Sequence, residues 1–146
     1  MSEYRHHALI RAPIERVWEL VGNPARHPEW WPRVVEVRGD RFEVGDVYTQ
    51  VTRQAFGNDE LTTLEIDRRD EMRELSFHCR DTGTYTHWLL TPARADTFVE
   101  ATFGMEPTNF GLRVFDSTAG RMYFRHWLEH SLEALARKAS QPVASR

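Results

Sequence analysis

Residues 121–139 read RMYFRHWLEHSLEALARKA, and their spacing decides how the rest of the chain is read. Phe124, Leu128, Ser131 and Leu135 fall at i, i+4, i+7 and i+11, flanked by Trp127 and Leu132. That is one broad apolar stripe of a 3.6-residue helix. Arg125, His126, Glu129, Glu133 and Arg137 take the other side. Asp116 or Ser117 is placed to cap the start, and Pro142 limits the end. This is the longest amphipathic stretch in the chain and it follows a run of strand-like segments. It reads as the axle on which a curved sheet closes.

Upstream, from Val34 to Met105, the period is two. Val34–Arg38, Val47–Arg53, Leu61–Arg68, Met72–Asp81, Thr84–Pro92 and Thr97–Met105 read as strands, separated by turn residues such as Gly39-Asp40 and Gly57-Asn58-Asp59. A two-residue loop at Thr82-Gly83 would set Phe77 opposite Trp88, Leu75 opposite Leu90, and Cys79 opposite Thr86. Leu64 and Ile66 extend that apolar face on one side, and Val99, Ala101 and Phe103 on the other. The opposite face carries His78, Arg80, Tyr85, His87 and Glu100, so it meets water. A sheet with one dry face must cover it, and the long helix is the cover.

At the N-terminal end, Tyr4–Arg11 reads as a first strand with His6, Ala8 and Ile10 on one face. Pro13 starts a short helix whose stripe is Ile14, Val17, Trp18 and Val21, closed by Gly22. Asn23-Pro24 starts a second, and Pro28 and Pro32 keep it brief around Trp30-Trp31. The order is β-α-α, six strands, then α.

Composition narrows the function classes. At 146 residues, 40% hydrophobic and 28% charged, the chain is expected to be one domain over 1–140 with a loose tail at 141–146. Its net charge of −3, with acids and bases interspersed, offers no basic stripe for nucleic acid. No apolar run is long enough for membrane insertion, the polar N-terminus has no secretory core, and the single Cys79 rules out an internal disulfide. The expected location is the cytoplasm. His78 with His87, and His126 with His130, are pairs without a third ligand, so neither a metal nor another cofactor is expected.

The order of elements, with Ala12-Pro13-Ile14-Glu15-Arg16-Val17-Trp18-Glu19-Leu20 after the first strand, resembles the START-like (SRPBCC) superfamily in its polyketide cyclase/dehydrase branch. Pro28-Glu29-Trp30-Trp31-Pro32, Val44-Gly45-Asp46 and Phe103-Gly104-Met105-Glu106-Pro107 fit the same pattern, which is similar to that of single-domain polyketide aromatase/cyclases. The resemblance spans roughly residues 4–139. It implies an α+β helix-grip fold: a seven-stranded curved antiparallel sheet around the C-terminal helix, with a cavity between them for a small hydrophobic or aromatic molecule. The chain is then a monomer or homodimer with a small-molecule partner.

Residue by residue, the expected lining is Trp31, Val51, Leu64, Ile66, Phe77, Cys79, Thr86, Trp88, Val99, Ala101, Phe103, Phe124, Leu128 and Ser131. Large aromatics interleaved with small or polar groups suit a pocket better than a uniformly filled core. Ordinary core packing is the competing reading. The family's aromatase/cyclases place an arginine in the pocket to polarise a carbonyl; the matching position here is Arg68, on the parity of Leu64 and Ile66, with Arg53 second. Snorkelling of both to water is the alternative. The family's pocket tyrosine is missing from Arg33-Val34-Val35-Glu36, which leaves His27 as a proton-transfer partner if it faces inward. Trp30-Trp31 is either a lid or an internal plug. Three functions stay open: binding of an apolar ligand or lipid, a polyketide aromatase/cyclase or dehydratase reaction, and a protein-interaction role with a vestigial cavity.

Overall fold

A computed structural model describes residues 2–54, 57–106 and 121–141 of the chain. The caps expected at Asp116, Ser117 and Pro142, and the Pro107 of the late motif, lie outside the described residues. Ser2–Ile10 forms β1; Ile14–Val21 forms helix α1; Pro24–Glu29 forms a 3-10 turn. Val34–Arg38, Val47–Thr52, Glu60–Asp70, Glu74–Cys79, Thr84–Ala93 and Asp96–Met105 form β2 to β7, and Arg121–Ser140 forms helix α2.

Among the described residues seven strands make one antiparallel sheet in the order β1-β7-β6-β5-β4-β3-β2. This is the helix-grip architecture, with α2 on the dry face. Asn23 caps the 3-10 turn by accepting from the Ala25 amide at 3.2 Å, with Pro24 at its first position. Gly22 ends α1 with an ordinary φ of −79°, so freedom of backbone is not its purpose. A Cβ there would stand 2.3 Å from Trp18 Cε2, and Trp18 is buried. Gly22→Ala is therefore expected to force Trp18 off its seat and cost about 1–3 kcal/mol. A denaturant midpoint equal to wild type would show that the ring can move freely.

Three local readings are corrected. The β5–β6 connection is longer than two residues: Phe77 faces Thr86 and Leu75 faces Trp88, and Gly83 closes the turn with φ 79° and its amide on the Cys79 carbonyl at 3.0 Å. A shift by two keeps every side chain on its face, so the dry face survives. In β3 the parity is reversed. Tyr48, Gln50 and Thr52 point to the helix side, opposite Leu64, Thr62 and Glu60, and Val51 lies on the other face. In β4 a bulge falls between Ile66 and Arg68, so Ile66 pairs with Phe77 but Arg68 pairs with Ser76 on the wet face.

The inward rungs of the sheet change character along the strands. At one end they are Leu90–Val99–Ala8 and Leu75–Trp88–Ala101–His6. Next comes Ile66–Phe77–Thr86–Phe103–Tyr4, then Tyr48–Leu64–Cys79 and Thr84–Met105. The far rungs are Gln50–Thr62 and Thr52–Glu60. The Leu/Val/Trp end is closed by α1, with Ala12 accepting from Thr97 Oγ1 at 2.9 Å, and by α2 from its middle to its C-terminus, where Leu128, Leu132, Leu135 and Ala139 are buried. The Thr/Gln end is not filled.

Candidate functional site

A cavity of about 310 Å³ opens where the rungs turn polar. Its aromatic walls include Trp31, Phe77, Phe103 and, from the N-terminal half of α2, Tyr123, Phe124 and Trp127. Leu64, Cys79 and Thr86 complete the deep end. The remaining expected residues serve elsewhere. Ile66, Trp88, Val99, Ala101 and Leu128 pack in the filled half, and Val51 is buried on the other side of the sheet. Ser131 is also buried, but its hydroxyl is spent on the Trp127 carbonyl at 2.6 Å.

Trp31 separates the two halves. It stacks on Trp30 at 5.6 Å and 6°, meets Trp88 at 85° and Phe77 at 63°, and lies against Trp127 at 5.6 Å. Trp30 is held by its Nε1–H on the Leu20 carbonyl, and Trp127 by its own on the Pro32 carbonyl, both at 3.0 Å. The double tryptophan is thus the internal floor of the cavity and not a lid. His27 lies beneath it, fully buried against Trp30 and Trp31, with Nε2 2.8 Å from the Val21 carbonyl. Burial pushes its pKa down to about 4, so it is a neutral core histidine and does not line the cavity.

Neither arginine singled out from sequence enters the cavity. Arg68 is turned out by the bulge, its side chain 72% exposed and 3.8 Å from Glu74. Arg53 follows β3 and is exposed; its amide donates to the Arg33 carbonyl at 2.7 Å. The guanidinium that the bulge turns toward the helix side is Arg69, at the filled end. It donates to Glu71 at 3.0 Å and lies 5.5 Å over the Trp18 ring, whose Nε1–H also donates to Glu71. That trio clasps α1 to the end of β4.

Sequence reasoning missed the polar wall: Gln50, Thr52, Thr62 and Thr84, with Glu60 at the open end. Thr62 and Glu60 share the parity of Leu64 and were within reach of the pattern. Gln50 and Thr52 were hidden by the reversed reading of β3. Gln50 is 5% exposed; its Nε2 donates to Thr52 Oγ1 at 3.3 Å while its Oε1 has no partner among the described residues. Trp31 Nε1 is likewise buried, with no partner among the described residues. A buried polar atom without a partner costs about 1–3 kcal/mol, so both are better satisfied by a guest or by water.

A curved sheet gripping a helix, with an aromatic-walled hollow between them, defines the helix-grip class of cavity proteins. Within it, the chain belongs to the family described as polyketide cyclase / dehydrase and lipid transport, whose pattern matches residues 1–140. No curated protein matches the sequence. Solved structures with the same fold include CV1439 from Chromobacterium violaceum, 18% identical over 97% of this chain and 100% of that one, with a TM-score of 0.77. BH1534 from Bacillus halodurans is 17% identical over 96% and 98%, at 0.75, and XoxI from Bacillus cereus is 14% identical over 95% and 96%, at 0.73. At these identities the likeness establishes the fold. No helix among the described residues is long and apolar enough to cross a membrane.

Proposed function

We propose that the chain binds a small hydrophobic or aromatic molecule in the cavity between sheet and α2, as a carrier, sensor or sequestering protein. The observation that carries this reading is the hollow itself: about 310 Å³ walled largely by aromatic rings, within the range of small-molecule sites. The groups that the sequence singled out for acid/base work lie elsewhere, His27 sealed beneath Trp31 and Arg68 on the wet face. This favours binding over a cyclase or dehydratase reaction.

Trp31 and Trp127, which line the cavity, are expected to report entry of 2-naphthol by a change in emission; Trp88, behind the floor, is not in contact with the guest. Thr62 points into the open half and is only partly buried, so Thr62→Trp should fill the hollow without entering the packed half. It is expected to weaken binding at least about tenfold, the scale of a lost aromatic contact, while leaving circular dichroism unchanged. Saturable binding that survives Thr62→Trp at full strength would place the guest outside this cavity.

A further inference from the structure

Which molecule the cavity takes is written in the charge of its walls. Resting on the binding reading above, we infer that the site selects uncharged ring compounds bearing hydroxyl or carbonyl oxygens, and discriminates against their carboxylates. Apart from Glu60 at its mouth, the cavity is wet in composition but neutral. Its polar wall is built from amides and hydroxyls, chiefly Gln50, Thr52, Thr62, Thr84 and Thr86. Among the described lining residues there is no lysine, arginine or histidine. The one carboxylate in the wall, Glu60, stands exposed at the open end, where an incoming anion would have to pass it.

That arrangement treats an oxygen atom and a negative charge very differently. A phenol or ketone entering the hollow can meet two buried polar atoms that have no partner among the described residues. The Trp31 Nε1–H is a donor for a ligand oxygen. The Gln50 amide, steadied by Thr52, offers its free oxygen to a ligand hydroxyl. Each new bond also removes the penalty of an unsatisfied buried group. A carboxylate gives up far stronger hydration than a phenol or ketone and finds no cation in the described wall to replace it. An unpaired buried charge is far costlier than an unpaired dipole. Arg68 points outward beside Glu74, Arg69 is committed to Glu71 at the opposite end of the sheet, and Arg33, whose charge reaches the Tyr123 hydroxyl, stands outside the lining.

The test is equilibrium binding of three ligands of one shape at neutral pH: 2-naphthol, 2-naphthoate and naphthalene, read by tryptophan emission and by calorimetry. We expect 2-naphthol to bind at least about tenfold tighter than 2-naphthoate and about fivefold or more tighter than naphthalene. Gln50→Leu and Trp31→Phe should each narrow the naphthol-to-naphthalene ratio by about fivefold, the scale of one hydrogen bond. Naphthoate binding as well as naphthol would overturn the inference while leaving the binding reading intact. Naphthalene matching naphthol would overturn it too, by showing that the unpaired atoms contribute nothing. If none of the three binds, the binding reading itself fails and the inference falls with it. Should either variant fold poorly, the wild-type ratios alone decide.

Discussion

Trp88→Ala is expected to destabilise the protein by about 3–5 kcal/mol, the range for removing a large aromatic from a packed core. Trp88 is fully buried and sits in an inward rung between Leu75 and Ala101. Its ring meets the edges of Trp30, Trp31 and Phe103 at 5.6, 5.7 and 6.0 Å. Truncation leaves a hole walled by rings that are themselves anchored, Trp30 by the Leu20 carbonyl, so collapse into the space is limited. Trp88 Nε1 has no partner among the described residues, which means the indole's value here is bulk and not hydrogen bonding. Trp88→Phe should therefore recover most of the loss. Chemical denaturation monitored by circular dichroism reads both, with an unchanged m-value marking a true stability change. A cost for Trp88→Ala below about 1.5 kcal/mol would mean that this end of the sheet is not closely packed.

That experiment, beside Thr62→Trp, separates two halves of one dry face. The Leu/Val/Trp rungs under α1 hold the fold together. The Thr/Gln rungs under the N-terminal half of α2 leave space for a guest. Trp31 serves both: it is 2% exposed and packed among six aromatic rings, yet one side of it is cavity wall.

The division explains which parts were legible in the sequence. Element order and the faces of β4 to β7 follow from apolar alternation, because a period of two survives a register error of two residues, as the β5–β6 hairpin demonstrates. β3 was misread for a reason rooted in function. Val47, Thr49 and Val51 look more apolar than Tyr48, Gln50 and Thr52, yet the second set points to the helix side because a polar cavity wall reverses the usual inside-outside rule. Arg68 was misplaced by one extra residue in β4, and nothing in Ile66-Asp67-Arg68-Arg69 marks a bulge, since no glycine accompanies it. Depth along the strands, which separates Trp88 from Phe103 as core from cavity wall, depends on register across several strands at once. No local pattern carries it.

Stability is expected to fall as the pH drops from 6.5 toward 4, by about 3 kcal/mol in total, on account of His27 alone. The imidazole is fully buried among the rings of Trp30, Trp31 and Phe77, and its Nε2 lies 2.8 Å from the Val21 carbonyl. A carbonyl can only accept, so Nε2 carries the hydrogen and Nδ1 is the bare nitrogen, without a partner among the described residues. A second proton would place a charge on Nδ1 with aromatic rings for neighbours, and desolvation therefore lowers the folded-state pKa from 6.5 to about 4. Between those values the unfolded chain binds a proton that the folded chain refuses, so the stabilisation is fully present above 6.5 and is lost as the pH falls. The window lies mostly above the ordinary carboxylate range, and Glu29, held low by Arg26, titrates below that range. His27→Phe keeps a ring in the slot and has nothing to protonate. At neutral pH it should be somewhat less stable than wild type, because the Val21 carbonyl loses its donor. The difference should shrink through the window and reverse near its lower end, as measured by urea midpoints at a series of pH values. Parallel pH profiles for the two proteins would show that the imidazole reaches water and picks up its proton at the usual cost.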